Sequence, residues 1–304
     1  MINLNVQNET SRLRAVVLGI ANNIGPIPTI DEAYDPKSIE HIKAGTYPTE
    51  MDMISEMEAL NKVFEKYNVK VYRPKIIKNY NQIFSRDIAF VLGDKLIKSN
   101  ILPDREKEIE AIQYVLDEID PSKIISAEED VHFEGGDVML WENYIFIGTY
   151  KGEDYKDIIT ARTNMKGVNF IKKLFPNKIV KEFDLVKSNT NAKENALHLD
   201  CCFQPVGKNK GIIHKEGFKN ESDYMFLVNL FGLDNLFHIS KDEMYQMFSN
   251  VFSISEKVVV SEKNFTRLNN WLRANDFIVE EVPYAEIGKQ EGLLRCSTMP
   301  LIRD

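Results

Sequence analysis

The sequence predicts an α/β fold in a single domain over residues 1–304. Two observations support this prediction. Short apolar strands and amphipathic helices follow one another along the whole chain, in the order hairpin, helix, strand. No linker, low-complexity segment or residue-level repeat interrupts that order, and 304 residues are enough to bury a sizeable core. Strands and helices that alternate in this way are typical of α/β proteins.

The N-terminal quarter predicts a strand, a long loop, a helix and a second strand. Residues 14–19 are an apolar run ended by glycine, which is typical of a buried strand. Residues 21–49 are rich in Pro, Gly, Asn and Thr, so they form either a lid over a site or an ordinary surface loop. Apolar residues at helical spacing predict a helix over 50–67, and 69–72 predict a strand.

The rest of the chain repeats these elements. Strands are predicted at 83–98 (two, joined at Gly93-Asp94), 123–126, 131–141, 144–148, 197–207, 211–214, 257–260 and 277–282. Helices are predicted at 109–119, 158–175, 220–231, 241–249 and 263–274.

Composition excludes several classes of partner. The net charge of −8 argues against a nucleic-acid or anionic-membrane partner, since both bind basic surfaces. No apolar run approaches the roughly 20 residues of a membrane helix, and the first residues lack the pattern of a signal peptide. Three cysteines, two of them adjacent, are a poor disulfide framework. We therefore expect free thiols in a reducing, cytoplasmic setting.

His198 and Asp200 are the first candidate functional pair. If residues 197–207 form a strand, the two side chains share one face about 7 Å apart. A buried histidine and carboxylate are costly unless something satisfies them. Cys296 is a possible nucleophile for which His198 would be the base, and the charge of Arg295 would favour its thiolate. Each residue alone would more often be an ordinary packed side chain.

Other polar residues interrupt apolar segments. Arg86-Asp87 is either functional or a structural ion pair, and Glu134 and Asp137 flank two glycines that allow close backbone approach. Arg162, taken alone, would more often be a solvated arginine. A metal site built on His198, Asp200, Cys201, Cys202 and His214 is disfavoured, because adjacent cysteines do not match zinc spacing.

Together these residues resemble the guanidino-group-modifying superfamily. It includes arginine deiminases, dimethylarginine dimethylaminohydrolases, agmatine and peptidylarginine deiminases, and amidinotransferases. The matching segments appear in the family's order, at residues 84–88, 133–138, 162–164, 198–203 and 295–300. The resemblance implies a five-bladed α/β-propeller of pseudo-fivefold ββαβ repeats, with the active site in its central channel.

The resemblance also implies roles. Cys296 corresponds to the nucleophile that attacks the guanidinium carbon, His198 to the general acid and base, and Glu134 to the carboxylate that orients it. Asp87 and Asp200 correspond to the pair that grips the guanidinium nitrogens.

Two further positions correspond to residues that bind the substrate's far end: Arg162 to an arginine that binds an α-carboxylate, and Asp137 to a group near the α-amino end. No cofactor or metal is needed, and the superfamily includes homo-oligomers.

The substrate stays open between family members. The ending at 295–300 is closest to arginine deiminases, whereas Arg162-Thr163-Asn164 followed by Gly167 is closest to dimethylarginine hydrolases. The main expectation is a hydrolase of a free arginine-like guanidine, or of a ureido compound such as citrulline. An amidinotransferase that uses glycine or ornithine as acceptor is the alternative, and a non-catalytic binding protein on the same fold is the second.

Overall fold

The structure is a computed structural model that describes residues 1–304 and shows a mixed α/β fold. Its helices are α1 (Pro36–Ala44), α2 (Glu50–Lys66), α3 (Ser85–Ile88), α4 (Gln113–Leu116), α5 (Met165–Leu174), α6 (Glu221–Phe231), α7 (Lys241–Tyr245) and α8 (Thr266–Ala274). No helix combines the length and apolar character needed to cross a bilayer.

Fifteen strands form five three-stranded sheets. They are β1 (Leu13–Leu18), β2 (Lys70–Tyr72), β3 (Ala89–Leu92), β4 (Lys95–Lys98), β5 (Ile124–Ile125), β6 (Val138–Trp141), β7 (Tyr144–Thr149), β8 (Ile179–Asp184), β9 (Phe203–Val206), β10 (Lys210–Ile213), β11 (Leu236–His238), β12 (Phe252–Ser253), β13 (Val258–Glu262), β14 (Ile278–Val282) and β15 (Thr298–Arg303).

All five sheets share one plan. The middle strand pairs antiparallel with one neighbour and parallel with the other, and at least one helix lies between the middle strand and its parallel partner. The sheets are β3-β4-β5, β6-β7-β8, β9-β10-β11, β12-β13-β14 and β15-β1-β2. In the last sheet the antiparallel partner of β1 is the C-terminal strand β15, so the two ends of the chain are joined in one sheet.

A short turn precedes the first strand of each sheet. These five turns lie at 85–88, 135–137, 199–201, 246–249 and 294–297. They contact one another in sequence around a ring, and many of the buried charged residues lie on or beside them. Apolar clusters of 36, 27 and 15 buried residues fill the space between sheets and helices, so the polar turns lie inside apolar surroundings.

Hydrogen bonds connect neighbouring turns at four junctions, and close backbone packing connects them at the fifth. The Arg86 N–H donates to the Cys296 carbonyl (3.0 Å), and the Arg295 N–H donates to the Asn250 side chain (2.9 Å). The ring continues from Ser249 Oγ to the carbonyl of Asp200 (2.8 Å), and the N–H of Leu199 donates to Asp137 (2.9 Å). At the fifth junction, the backbone of Gly135 packs closely against that of Arg86. A Cβ at Gly135 would lie 2.1 Å from the Arg86 carbonyl oxygen, so this close approach needs a glycine.

Most of the predicted long elements are confirmed. The helix predicted over 50–67 is α2, the hairpin predicted at Gly93-Asp94 joins β3 to β4, and the helix predicted over 220–231 is α6. The predicted helix at 109–119 is instead a 3₁₀ segment at 103–112 followed by α4. The sequence prediction omitted β8, β11, β12 and β15.

Four further predictions about local structure were wrong. The predicted strand over 131–141 begins only at Val138, because 135–137 form a 3₁₀ turn. The predicted strand over 197–207 begins only at Phe203, because 199–201 form a 3₁₀ turn in which the Cys201 N–H donates to the His198 carbonyl. Residues 85–88 are a helical turn rather than a strand. The helix predicted over 158–175 starts at Met165, where the Asn164 side chain caps it by accepting from the Gly167 N–H at 2.9 Å.

The predicted long loop at 21–49 contains a helix. Asp35 caps α1 by accepting from the Ser38 N–H at 2.7 Å, and Gly45 ends the helix at φ +66°. We call residues 24–49 the lid, because they cover the opening of the ring of turns.

Candidate active site

The ring of turns brings five of the predicted residues together. Each of Asp87, Glu134, His198, Asp200 and Cys296 is at most 3% exposed. The polar atoms of His198, Asp200 and Cys296 all lie within 4.8 Å of one another, and so do those of Asp87, Glu134 and His198. Four of the five turns supply these residues, with Glu134 and His198 directly before their turns.

His198 and Glu134 form the best-defined pair of the site. Nε2 of His198 lies 2.7 Å from Oε2 of Glu134, whereas Nδ1 has no partner and lies 3.9 Å from Oδ1 of Asp87. Gly136 permits this placement, since a Cβ there would lie 2.6 Å from Nδ1. Nδ1 is therefore the ring nitrogen that faces the cavity.

The carboxylates keep the imidazole protonated. Burial lowers the pKa of His198, but the charge of Asp87, the hydrogen bond that His198 donates to Glu134 and the charge of Asp137 together raise it to about 9. Burial raises the pKa of Glu134, yet Arg162 and His198 outweigh it and lower that pKa to about 2. At neutral pH the pair is an imidazolium next to a carboxylate.

Cys296 lies beside a carboxylate and an amide. Its Sγ is 3.7 Å from Oδ2 of Asp200 and accepts from Nδ2 of Asn250 at 3.1 Å. Burial, followed by the charges of Asp200 and Asp87, raises the pKa of the Cys296 thiol well above its usual range. In this state of the site the cysteine is a thiol.

The expectation that Arg295 favours the thiolate is wrong. The Arg295 guanidinium pairs with carboxylates instead of the sulfur, donating to Oδ2 of Asp200 at 2.9 Å and to Oε2 of Glu9 at 3.2 Å. It also donates to the main chain of residues 135–138. Arg295 therefore holds Asp200 and the neighbouring turn in place.

Asp87 is held at one oxygen only. Its Oδ2 accepts from Nη1 of Arg105 at 2.9 Å, and Oδ1 has no partner. Arg105 is itself fixed by a two-point contact with Glu108, at 2.6 and 3.2 Å. Burial raises the pKa of Asp87, and the positive charges of His198 and Arg105, which lower it, do not fully offset that effect. The free oxygen of Asp87 is directed toward His198.

Arg162 and Asp137 lie at different distances from the cavity. Arg162 is 3% exposed and lines it, with Nη1 3.4 Å from both Glu134 oxygens and Nη2 donating to the Tyr34 carbonyl of the lid. The isolated interpretation of Arg162 as a solvated residue is wrong. Asp137 does not line it, because its oxygens accept from the Leu199 N–H (2.9 Å) and Thr163 Oγ1 (2.6 Å).

Comparison with known proteins gives the family. The family model described as N,N dimethylarginine dimethylhydrolase, eukaryotic, matches residues 40–303. The chain belongs to this family. Its membership confirms the resemblance to the guanidino-group-modifying superfamily that the five segments indicate.

A curated relative and two solved structures are also similar. The relative is the uncharacterized protein YkgA of Bacillus subtilis, 28% identical over 225 residues, which covers 73% of this chain and 70% of YkgA. The first structure is the N-terminal domain of the cyanobacterial arginine dihydrolase ArgZ (TM-score 0.77, 16% identity, 95% of this chain, 98% of that one). The second is SxtG, an amidinotransferase from Microseira wollei (TM-score 0.76, 16% identity, 99% and 98%). Both show the fold.

Two neighbouring cavities lie at the candidate site. The inner cavity, beside His198 and Cys296, holds about 10 Å³, room for roughly one water molecule. The outer cavity holds about 680 Å³ and is lined mainly by the lid and by residues 79–81. Five residues line both cavities, and these are Tyr34, Asp35, Phe84, Arg105 and Gln290.

The sequence analysis missed several residues of the site. Asn250 contacts the sulfur, Arg105 holds Asp87, and Asp35 and Glu291 line the inner cavity. Asn250 could have been found by position, because each of the other turns carries polar residues before its strand. Cys201 Sγ lies 3.8 Å from Asp200, whereas Cys202 packs among apolar side chains.

A metal ion could use residues of the same site. The atoms of His198, Asp200 and Cys296 are close enough to hold one, as are those of Asp87, Glu134 and His198. Both groups share His198, so a metal bound to either would occupy the residues assigned to catalysis.

Proposed function

We propose that this protein is a cysteine-dependent hydrolase of an arginine-like guanidino compound, acting through a covalent Cys296 intermediate. The observation that carries the proposal is the buried group formed by Cys296, His198 and Glu134 together with the carboxylates of Asp87 and Asp200. We also propose that residues 1–304 form one five-bladed α/β-propeller. Five sheets of one plan, a ring of five turns and the β1–β15 pairing support it.

The carboxylates would bind the guanidinium cation. Asp87 has an unpartnered oxygen and Asp200 lies beside the sulfur, so a planar cation between them would donate to both. Its charge would offset the two carboxylates whose fields, after burial, raise the pKa of Cys296. Substrate binding would thereby favour the thiolate that performs the attack, and the thiol proton would be released to solvent because His198 is already protonated.

The first half-reaction would cleave one C–N bond. Sγ of Cys296 bonds to the guanidinium carbon, and the resulting tetrahedral intermediate expels one nitrogen as an amine or ammonia. His198, protonated because its pKa is about 9, gives the proton from Nδ1 to the leaving nitrogen. The product is an amidino-thioether on Cys296.

The second half-reaction would consume a water molecule. The now neutral His198 removes a proton from the water, whose oxygen attacks the thioether carbon and expels the sulfur. Glu134 keeps the imidazole oriented through both steps, at 2.7 Å from Nε2. The lid must move for this cycle, because the inner cavity of about 10 Å³ is smaller than a guanidinium.

A panel of substrates tests this function. Purified protein is incubated with arginine, monomethylarginine, dimethylarginine, agmatine and citrulline, each with and without glycine or ornithine, and products are read by mass spectrometry. We expect turnover without an acceptor, abolished by Cys296→Ser. Turnover only with an acceptor would replace the hydrolase with an amidinotransferase, and turnover retained by Cys296→Ser would refute the mechanism.

A further inference from the structure

Three buried arginines that line neither cavity of the candidate site lie close together inside the molecule. Arg86, Arg295 and Arg303 are 4%, 0% and 1% exposed, and none of them lines the inner or the outer cavity. Glu9 lies among them. Burial raises the pKa of Glu9, but the charges of the three arginines outweigh burial and lower it. Glu9 is therefore ionised within the field of three cations.

Arg295 takes both carboxylates of this cluster. It donates to Oε2 of Glu9 at 3.2 Å and to Oδ2 of Asp200 at 2.9 Å. Arg86 and Arg303 form no ion pair, so the cluster holds three cations and only two carboxylates. One positive charge is left without a counter-ion inside the protein, and burial makes such a charge costly.

Arg86 is the arginine with the fewest partners. Its guanidinium makes a single hydrogen bond, from Nε to the Arg295 carbonyl oxygen at 3.4 Å, and Nη2 has no partner. Burial, followed by the charge of Arg295, lowers the pKa of Arg86 to about 9, although Glu9 and Asp200 oppose that effect. Most of the N–H donors of this buried group are therefore unused.

Arg303 brings further unpartnered donors to the cluster. Its Nη1 and Nη2 donate to the carbonyl oxygens of Ser11 (2.6 Å) and Ser253 (2.9 Å), but Nε has no partner. The hydroxyl groups of the same two serines are also buried without a partner. The charge of Arg303 is among those that lower the pKa of Arg86, so the two guanidinium groups lie near each other. Buried donors are ordinarily hydrogen-bonded, and these share the lack of an acceptor.

We propose that a chloride ion binds between Arg86 and Arg303. An anion accepts hydrogen bonds and donates none, so it would satisfy Nη2 of Arg86 and Nε of Arg303 together. It would also supply the negative charge that the cluster lacks. A water molecule would satisfy the donors and leave the charge uncompensated. Chloride fits better than a larger oxyanion because both arginines are enclosed. This site goes beyond the proposed function and needs no guanidino substrate.

Thermal unfolding in matched salts tests the site. The full chain is heated in sodium chloride and in sodium gluconate at equal ionic strength, and unfolding is followed by circular dichroism. We expect chloride to raise Tm by at least about 2 °C, and the rise to grow with chloride concentration, since a ligand that binds only the folded state stabilises it in this way. Equal Tm values in the two salts would overturn the site.

Arg86→Gln removes the charge and keeps a side chain that can donate hydrogen bonds. We expect this variant to lose the difference in Tm between chloride and gluconate, whatever its overall stability. Arg14→Gln is the matched control, because Arg14 is exposed and pairs with Asp304, and it should keep the difference. A chloride-dependent Tm retained in Arg86→Gln would overturn the assignment.

Bromide locates the ion without any substitution. Crystals of the wild-type protein are soaked in sodium bromide, and anomalous scattering at the bromine edge shows where bromide binds. We expect a peak in contact with Nη2 of Arg86 and Nε of Arg303. Peaks confined to the protein surface would mean an adventitious ion only, and they would overturn the site even if both variants failed to fold.

Discussion

At the scale of single residues, the site combines a protonated imidazole with a neutral thiol. His198 has a pKa of about 9 and already carries its proton, so it cannot take the proton of Cys296, whose own pKa is raised. Asp87 contributes to both shifts and, with Asp200, is proposed to bind a cation. Reactivity is therefore expected to depend on a positively charged ligand.

Asn250 is expected to support the nucleophile. Replacement by alanine removes the N–H that lies 3.1 Å from Sγ and the oxygen that accepts from the Arg295 and Cys296 N–H groups. Asn250→Ala should lower kcat about 100- to 1,000-fold, the range seen when one donor to a reacting centre is removed. Ser249→Ala, in the same turn but without contact to the sulfur, is the matched control. Equal losses in both variants would point to a folding defect.

The pH dependence of turnover should report His198. Since its pKa is about 9, kcat/KM should decline as pH rises through that value and the acid loses its proton. Glu134→Gln removes a charge that raises this pKa, so the alkaline limb should move to lower pH. An alkaline limb at the same pH in both proteins would contradict the assigned pairing.

Many of the candidate site residues could be predicted from the sequence. The residues that were missed or misread were so for physical reasons. His198, Asp200, Glu134 and Cys296 were found because their motifs resemble a family. Asn250 and Arg105 were missed because a single amide or arginine has no distinguishing sequence pattern. Arg295 was misread because adjacency in sequence says nothing about where a guanidinium points; it contacts Glu9, 286 positions away.

At the scale of elements, the turn before the first strand of each sheet positions the candidate site residues. The alternation at 197–207 predicted a strand, yet the first half is a 3₁₀ turn because the Leu199 N–H is bonded to Asp137 instead of a neighbouring strand. The same holds at 85–88. Local periodicity cannot reveal a turn that is stabilised by a partner over 60 positions away.

Gly136 is expected to be required for placing the base. A Cβ there would lie 2.6 Å from His198 Nδ1 and 2.7 Å from Cγ, so Gly136→Ala must displace the imidazole. We expect kcat to fall at least about 100-fold, as misplacement by 1 Å does elsewhere. Gly211→Ala in β10 is the control, since its nearest neighbour is a leucine side chain at 3.0 Å. Unchanged activity in Gly136→Ala would contradict the position of His198.

At the scale of the whole molecule, the two chain ends meet in one sheet. Strand β15 pairs along the length of β1 and follows directly on the turn that carries Cys296. This pairing was not predicted, because β1 and β15 are separated by nearly the entire sequence. In the sequence, the repeated sheet plan was visible only as a recurring order of hairpin, helix and strand. The expectation of a closed arrangement around a central channel came from the family resemblance.

Removal of β15 should therefore destabilise the whole fold. A chain truncated after Ser297 loses the antiparallel partner of β1 and should show no cooperative urea transition in circular dichroism. Deletion of Asp304 alone removes an exposed ion pair with Arg14 and should leave the urea transition nearly unchanged. A cooperative transition near that of the full chain after loss of β15 would show that the sheet does not depend on closure.

The central claim is that Cys296 is a nucleophile made reactive by a bound cation. The most direct measurement compares the alkylation rates of chloroacetamidine, which is cationic, and chloroacetamide, which is neutral, by intact mass at neutral pH with peptide mapping. The account predicts that the cationic reagent labels Cys296 at least about tenfold faster, as a thiol pKa lowered by one unit would give. Equal rates with both reagents, or labelling at Cys201 or Cys202 instead, would contradict it.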